Sequence, residues 1–417
     1  MAKRVAVIGG GVVGLCAAWS ALERGFRVAV IDRHGPDRDG CSFGNAGMVV
    51  PSHFVPLAAP GAVWQALKWM GDAESPFYVR PRLSWDLLAW GWRFWRSASA
   101  RHVRTAAPVL RDLHLASRAE YERLAKAWGN DFGLVRDGLL MLCKTQHALD
   151  EEAHVAMMAK ELGVPAEVLD PAAVAKLDSA VTMEVCGAVY YPRDCHLTPP
   201  RLMAGLQSRL ATGGCDFHWG AEVTSFTVDD RRLRAVVTDR GEITADEFVL
   251  AGGVWSSAVA REIGLSLPMQ AGKGYSLMLP EPRQLPRLCS ICVESRIAVT
   301  PMGQALRFGG TMEMSGLNED IDPARVRGIV NAVPRYFPAF RPDDFANVTP
   351  WRGLRPVSPD GLPYLGRTKR YDNLIVATGH AMMGVSLAPV TGKLVGQMLS
   401  EETPTIDVQV VSPDRFG

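Results

Sequence analysis

Residues 5–32 read VAVIGGGVVGLCAAWSALERGFRVAVID, and no other stretch restricts the fold as strongly. A short apolar run, Val5 to Ile8, leads straight into Gly9, Gly11 and Gly14. A helix-patterned segment follows, and a second apolar run ends on Asp32. This order predicts a strand, a tight turn, a helix and a parallel strand. Gly9 permits the turn out of the strand. Gly11 lets backbone N–H groups, with Val12 and Val13 on the first helical turn, approach a pyrophosphate. Gly14 lets the helix close on the sheet, so that its positive end faces the phosphates. Asp32, with Arg33 beside it, can accept hydrogen bonds from ribose hydroxyls and disfavours a 2′-phosphate. An isolated G-x-G-x-x-G is weak; flanked by these elements it predicts dinucleotide binding over an accidental Gly-rich turn.

At 417 residues the chain is long enough for two domains, since one core stops growing at roughly 250–300 residues. A net charge of +1 argues against a nucleic-acid partner held by bulk charge. The first strand begins within a few residues of the N-terminus and no long uncharged apolar run follows. That pattern predicts a cytoplasmic protein without export signal or membrane span. The eight cysteines are scattered, and the lone pair Cys289-x-x-Cys292 has no partner at metal-site spacing. Reduced thiols and no metal are expected.

Gly61 to Lys126 reads as helical, rich in Trp, Leu and Arg, and broken at Pro76, Pro81 and Pro108. A strand over Gly138–Cys143 and a helix over Leu149–Leu162 are predicted next. Thr198–Pro199 should start a helix running to about Ala211, with Thr as cap and Pro at the first position. Glu222–Val228, Leu233–Thr238, Glu242–Thr244 and Glu247–Leu250 alternate like an antiparallel meander that ends at the small corner Ala251-Gly252-Gly253. A second antiparallel block spans Gln270–Thr311. Near the end, an apolar strand over Leu374–Thr378 runs into Gly379-His380, and a helix opens at Gly384. Such a turn offers free N–H groups at a positive helix end, although a structural Gly turn would read the same.

Four segments carry a resemblance. They are the opening fingerprint, CSFGNAGMVVPSHFVPLAAPG (Cys41–Gly61), WRGLRPVSPDGLPYLG (Trp351–Gly366) and TGHAMMGVSLAPVTGKL (Thr378–Leu394). In this order they resemble the FAD-dependent D-amino-acid dehydrogenases, within the wider group of D-amino-acid, glycine and sarcosine oxidases. The likeness covers essentially the whole chain. It implies an α/β fold with a discontinuous Rossmann-like FAD domain, over about residues 1–60, 194–264 and 346–417. Residues 61–193 and 265–345 would form a smaller α+β substrate domain, whose mixed or antiparallel sheet roofs the flavin.

The resemblance also implies residue roles. Ser42, Asn45, Ala46, Gly47 and Met48 would sit on the loop facing the isoalloxazine, with Val223 at the adenine and Ala251–Gly252 near the pyrophosphate. Gly379, Met382, Met383, Gly384 and Val385 would hold the pyrimidine edge. Arg355 would grip the substrate carboxylate, a contact suited to a planar bidentate fork. Tyr275 is a weaker candidate for the pocket beside the flavin, with core packing as the alternative. His53 and His380 could tune charge at the ring, or be satisfied structural histidines. Trp351–Gly366 contains no Cys where the sarcosine oxidases attach their flavin, so dissociable FAD is expected.

The implied reaction is oxidation of a D-amino acid, or of a relative such as D-proline or hydroxy-D-proline, by hydride transfer from Cα to flavin N5. An imino or keto acid forms, and electrons pass to a quinone or another acceptor. The absence of a second dinucleotide fingerprint favours the organic substrate over NAD(P)H as electron donor. Alternatives are an oxidase acting on glycine or a secondary amine of the sarcosine or glyphosate type, and a non-catalytic FAD-binding subunit. Oligomeric state is not legible. In Trp85–Arg104, Trp85, Leu88, Trp92 and Trp95 share one helical face, and Arg93, Arg96, Arg101 and Arg104 add positive charge. This reads either as a peripheral contact with the inner membrane surface or a quinone, or as a core helix of the substrate domain.

Overall fold

The computed structural model describes residues 2–70 and 74–417. Its first sheet is built around the opening strand, Arg4–Ile8. The strand order is Tyr364–Arg367, Leu374–Thr378, Glu247–Leu250, Arg4–Ile8, Arg27–Asp32 and Asp216–Trp219. All pairings are parallel except that of the edge strand Tyr364–Arg367. The period of two divides the opening strand between two cores. Val5 and Val7 face a helical layer that includes Val12–Glu23 and Gly384–Leu399. Ala6 and Ile8 face a cluster with Leu233, Val236 and Ile243 of a three-stranded meander, Val223–Thr244.

Glu247–Leu250 was expected to extend that meander, but it inserts between Arg4–Ile8 and Leu374–Thr378 as a parallel strand. All four of its residues are buried. So short a strand, buried on both faces, carries no pattern that separates parallel from antiparallel pairing.

The second sheet has nine strands. Its main path runs Trp351–Val357, Gln270–Leu279, Ala305–Met314, Ile297–Met302, Cys289–Cys292, Leu139–Cys143, Gly187–Tyr191 and Glu167–Leu169, with Phe77–Val79 pairing beside Met312–Met314. Trp351–Val357, placed by sequence with the nucleotide unit, hydrogen-bonds instead to Gln270–Ser276. The helix Pro323–Tyr336 joins an apolar cluster with one face of this sheet.

Of the Trp-rich stretch, residues 71–73 lie outside the described ones. Three helices follow its course: Ala62–Trp69, Trp85–Ser97 and Ala100–Ala127. Pro108, expected to break the helical stretch, lies inside the last of them without ending it. Its neighbours Ala106, Ala107 and Leu110 are buried in the main core, which holds the helix across the missing N–H. In Trp85–Ser97 the face read either as a membrane contact or as core is turned out: Trp85, Leu88, Trp92 and Trp95 are 87, 60, 54 and 64% exposed. The buried side carries Trp90 and Phe94, stacked at 5.1 Å, against Met312, Met314, Val357 and Ala381.

Candidate active site

The glycine turn, the loop Cys41–Met48 and the last Gly corner converge on one cavity of about 430 Å³. Gly9 has φ +115°, and a Cβ there would stand 2.4 Å from the carbonyl of Ala251. A Cβ on Gly14 would meet the Gly9 carbonyl at 1.9 Å. The two corners therefore close on each other only with glycine at both positions. Gly9, Gly11, Val12, Val13, Ala251 and Gly252 line the cavity, whereas Gly14 serves it from behind. Val223 and Arg33 border the far end, and Arg33 stacks 4.1 Å over the Trp255 ring.

Asp32 is buried and lines the cavity. It accepts from the N–H groups of Gly10 (2.7 Å) and His34 (2.9 Å), and from Arg38 Nη1 (2.9 Å). Its carboxylate thus organises the turn and also holds Arg38, whose Nη2 lies 3.5 Å from where a Gly11 Cβ would be. Sequence reading missed Arg38. It sits in an irregular loop six residues beyond Asp32, where no period marks it.

Ser42 and Asn45 line the cavity as well. Ser42 Oγ accepts from the Val12 N–H (3.1 Å), and Asn45 Oδ1 accepts from the Gly47 N–H (2.8 Å). Ala46, Gly47 and Met48 continue the loop behind this wall, where Met48–Val49 pairs with Cys195–His196. Trp351 fastens the loop to the second sheet. Its ring fills the space where a Gly44 Cβ would be, 2.0 Å from Cδ2, and its Nε1 donates to the Asp39 carbonyl. At the third corner, His380, Gly384 and Val385 face the cavity, and the helix Gly384–Leu399 opens toward it. Gly379 has φ +76°, and its neighbours Met382 and Met383 form a 3-10 turn outside the lining. Met382 meets the loop Cys41–Met48 through its carbonyl, which Asn45 contacts at 3.4 Å.

Neither candidate histidine brings positive charge. His380 is buried, shares a hydrogen bond with Thr391 Oγ1 (3.0 Å), and burial lowers its pKa to about 4. His53 lies outside the lining, its Nδ1 2.9 Å from Ser52 Oγ, and burial with the Arg296 charge lowers its pKa to about 4. Both rings are neutral near pH 7, which fits the structural alternative.

On the second sheet, Arg352, Gly353, Leu354 and Pro356 line the cavity, whereas Arg355 stands between the last two and is not itself part of the lining. Arg355 is in register with Gly272, and its guanidinium lies across Gly274, where a Cβ would stand 2.2 Å from Cζ. Nη1 donates to the Thr311 carbonyl at 2.6 Å. No carboxylate among the described residues pairs with it, and desolvation pulls its pKa below the usual arginine range. Tyr275, on the same neighbouring strand as Gly274, points to the other face. It is 1% exposed within the cluster of Phe308, Ile329 and Tyr336, and its hydroxyl bonds Glu313. Burial decides the matter: Tyr275 is packed in the core and does not line the cavity. Arg307, which sequence reading also missed, is buried beneath the loop Cys41–Met48. Its Nη1 donates to the carbonyls of Phe43 (3.0 Å) and Asn45 (2.6 Å).

A glycine-lined nest, a helix end on either side and an acid at the end of the second strand define a site for a large nucleotide cofactor under a sheet-borne arginine. The chain belongs to the FAD dependent oxidoreductase family, whose model matches residues 4–398. Among its relatives, the D-amino acid dehydrogenases of Bradyrhizobium diazoefficiens and Allorhizobium ampelinum are each 32% identical, over 99% of this chain and 99% of theirs. Glycine oxidase from Geobacillus kaustophilus has a similar structure, with a TM-score of 0.79 and 24% identity over 100% of both chains. L-proline dehydrogenase from P. horikoshii superposes with a TM-score of 0.75 at 17% identity, over 100% of this chain and 98% of that one. The cofactor is FAD, and the cavity's donor set fits it: backbone N–H groups and Arg38 for the diphosphate, and a helix N-terminus at the last corner.

Proposed function

We propose that the protein is an FAD-dependent dehydrogenase that oxidises a D-amino acid at the Cα–N bond, deaminating it where the amine is primary, with D-proline or hydroxy-D-proline, which would give a cyclic imine, among the candidate substrates. The observation that carries this reading is Arg355, an arginine with no counter-ion among the described residues, flanked by the cavity-lining Leu354 and Pro356 and laid flat over a glycine. Its remaining N–H groups suit a carboxylate, and anchoring that group fixes where Cα points. Bound FAD supplies the acceptor for the hydride that leaves Cα. A neutral substrate amine lets that bond break without a base on the protein, and water then hydrolyses the imino acid. Orientation by Arg355 and exclusion of water by Trp351 and the loop it fastens are the protein's main contributions. The nucleotide unit would comprise about residues 1–60, 194–264 and 358–417, with Trp351–Val357 assigned to the substrate sheet. A panel of D- and L-amino acids with a dye acceptor tests this reading. Turnover confined to L-amino acids, or to glycine and secondary amines with oxygen consumed, would overturn it.

Asp32 and Arg38 together are assigned to the adenosine ribose and diphosphate. FAD should be held without a covalent bond. Trp351–Gly366 has no Cys, and although Cys41 lines the cavity, burial raises its thiol pKa and keeps it a poor nucleophile. Acid precipitation should release all yellow colour into the supernatant; colour left in the pellet contradicts the assignment.

The electron acceptor is proposed to be a quinone reached at the membrane surface. Trp64, Leu67, Trp85, Leu88, Trp92 and Trp95 are exposed on two successive helices, with Lys68, Arg96, Arg101 and Arg104 exposed nearby. Amphipathic rings with basic neighbours suit an anionic interface. On the buried side, Trp90 Nε1 donates to the carbonyl of Val357, two residues beyond Arg355. Among the described residues no helix is long and apolar enough to cross a membrane, so the contact would be peripheral. The protein should co-sediment with anionic liposomes at low salt and be released as salt rises. Failure to bind at low salt removes the membrane version.

A further inference from the structure

We infer that Arg307 is a positioning residue of the flavin site, which clamps the flavin-facing loop and fixes a positive charge behind it that favours the reduced, negatively charged cofactor. The inference rests on FAD occupying the cavity and assigns a residue to its redox behaviour. Arg307 is 7% exposed, and no carboxylate among the described residues lies within ion-pair distance. Its Nη1 alone holds two carbonyls of the loop, those of Phe43 and Asn45, and Asn45 is part of the cavity wall. The charge therefore stands one peptide behind the lining.

Its surroundings argue against a purely structural clamp. Among the described residues Nε has no partner, and neither has the hydroxyl of Thr300, which is fully buried and directly opposite Arg307 in cross-strand register. A neutral donor could hold the same two carbonyls without the desolvation that burying an unpaired guanidinium entails. Burial lowers the Arg307 pKa to about 10, so the charge is still present at neutral pH. An unbalanced cation in a dry site acts on whatever negative charge appears nearby. The cofactor acquires such charge when it takes up a hydride. The helix end at Gly384 serves one side of the cavity, and Arg307 acts from behind the loop at Phe43–Asn45.

The test is a dye-equilibrated redox titration of the holoenzyme as wild type, Arg307→Met and Arg307→Lys, with FAD content measured separately. Arg307→Met should lower the two-electron potential by at least about 30 mV, a tenfold fall in the equilibrium constant for reduction. It should also weaken the anionic flavin–sulfite adduct at least tenfold. Arg307→Lys, which keeps the charge and loses the fork, should stay near the wild-type potential. An Arg307→Met holoenzyme with wild-type potential and sulfite affinity overturns the inference, and so does one that instead shows only a raised KM. If Arg307→Met does not fold, Arg307→Lys decides alone: a tenfold fall with the charge retained excludes charge as the cause. Loss of FAD from both variants with no change in potential of the residual holoenzyme leaves only a structural clamp and equally overturns it.

Discussion

Arg355→Met is expected to cut kcat/KM for the amino-acid substrate at least about thirtyfold while leaving FAD content unchanged. Removing one partner of a desolvated, hydrogen-bonded charge pair costs about 2–5 kcal/mol, and each 1.4 kcal/mol is a factor of ten. The lower bound of that range sets the thirtyfold figure. FAD should remain bound because Arg355 contacts the Thr311 carbonyl and lies over Gly274, away from the turn at Gly9–Gly14. Methionine fills a similar length without charge, so the sheet should keep its packing. An amine substrate lacking the carboxylate should lose far less, because it never used the contact. Steady-state kinetics with the acid and the matching amine, alongside the flavin absorbance ratio, read all three expectations. Near-normal turnover of the acid would move the carboxylate site elsewhere, and loss of flavin would make Arg355 a cofactor residue.

The largest stability effect is expected at Lys273. Its ammonium is 1% exposed, donates to Asn318 Oδ1 (3.0 Å) and to the Asp320 carbonyl (2.7 Å), and stands 3.4 Å from Glu313. Glu313 is itself 3% exposed and accepts from the Tyr275 hydroxyl. Lys273→Met strands the Glu313 carboxylate inside the protein and frees the loop Asn318–Asp322. Breaking a buried pair from one side typically costs about 3–5 kcal/mol. Urea unfolding of the holoprotein should show a loss of that order. Adding Glu313→Gln to Lys273→Met should recover most of it, since the uncompensated charge is then gone. A Lys273→Met protein of wild-type stability would show that the pair is not what holds this corner.

Much of the site was legible because its chemistry is local. Gly9, Gly11, Gly14 and Asp32 lie within one strand–turn–helix–strand unit, so spacing alone places them. The resemblance placed Ser42, Asn45 and Val385, and the cavity lining includes all three. What was not legible depends on contacts between distant segments. Arg307 and Arg38 gain meaning only when residues 38–48 fold against a strand some 260 residues later and against the glycine turn. Tyr275 looked suitable by type, and only the pairing of its strand with Trp351–Val357 shows which face Gly274 and Arg355 occupy. Glu247–Leu250 was read as meander because four buried residues carry no pairing signature. For Trp85–Ser97 the helical period was plain, but the period does not say which way the tryptophans point. Burial settles it, with Trp90 inward and Trp85, Leu88, Trp92 and Trp95 outward.

These features meet in one proposed arrangement. A turn and two helix ends would hold the nucleotide, a loop pinned by Trp351 and Arg307 would close over it, and Arg355 on the second sheet would bind an anionic group. The central claim is that the group belongs to a D-amino acid whose Cα faces the flavin. Anaerobic mixing of the yellow holoenzyme with single enantiomers, followed by stopped-flow absorbance, tests it most directly. Bleaching by a D-amino acid, saturable and slowed in Arg355→Met, with no bleaching by the L-enantiomer, is the predicted result. Bleaching by L- but not D-amino acids, or none by any amino acid, would contradict the account.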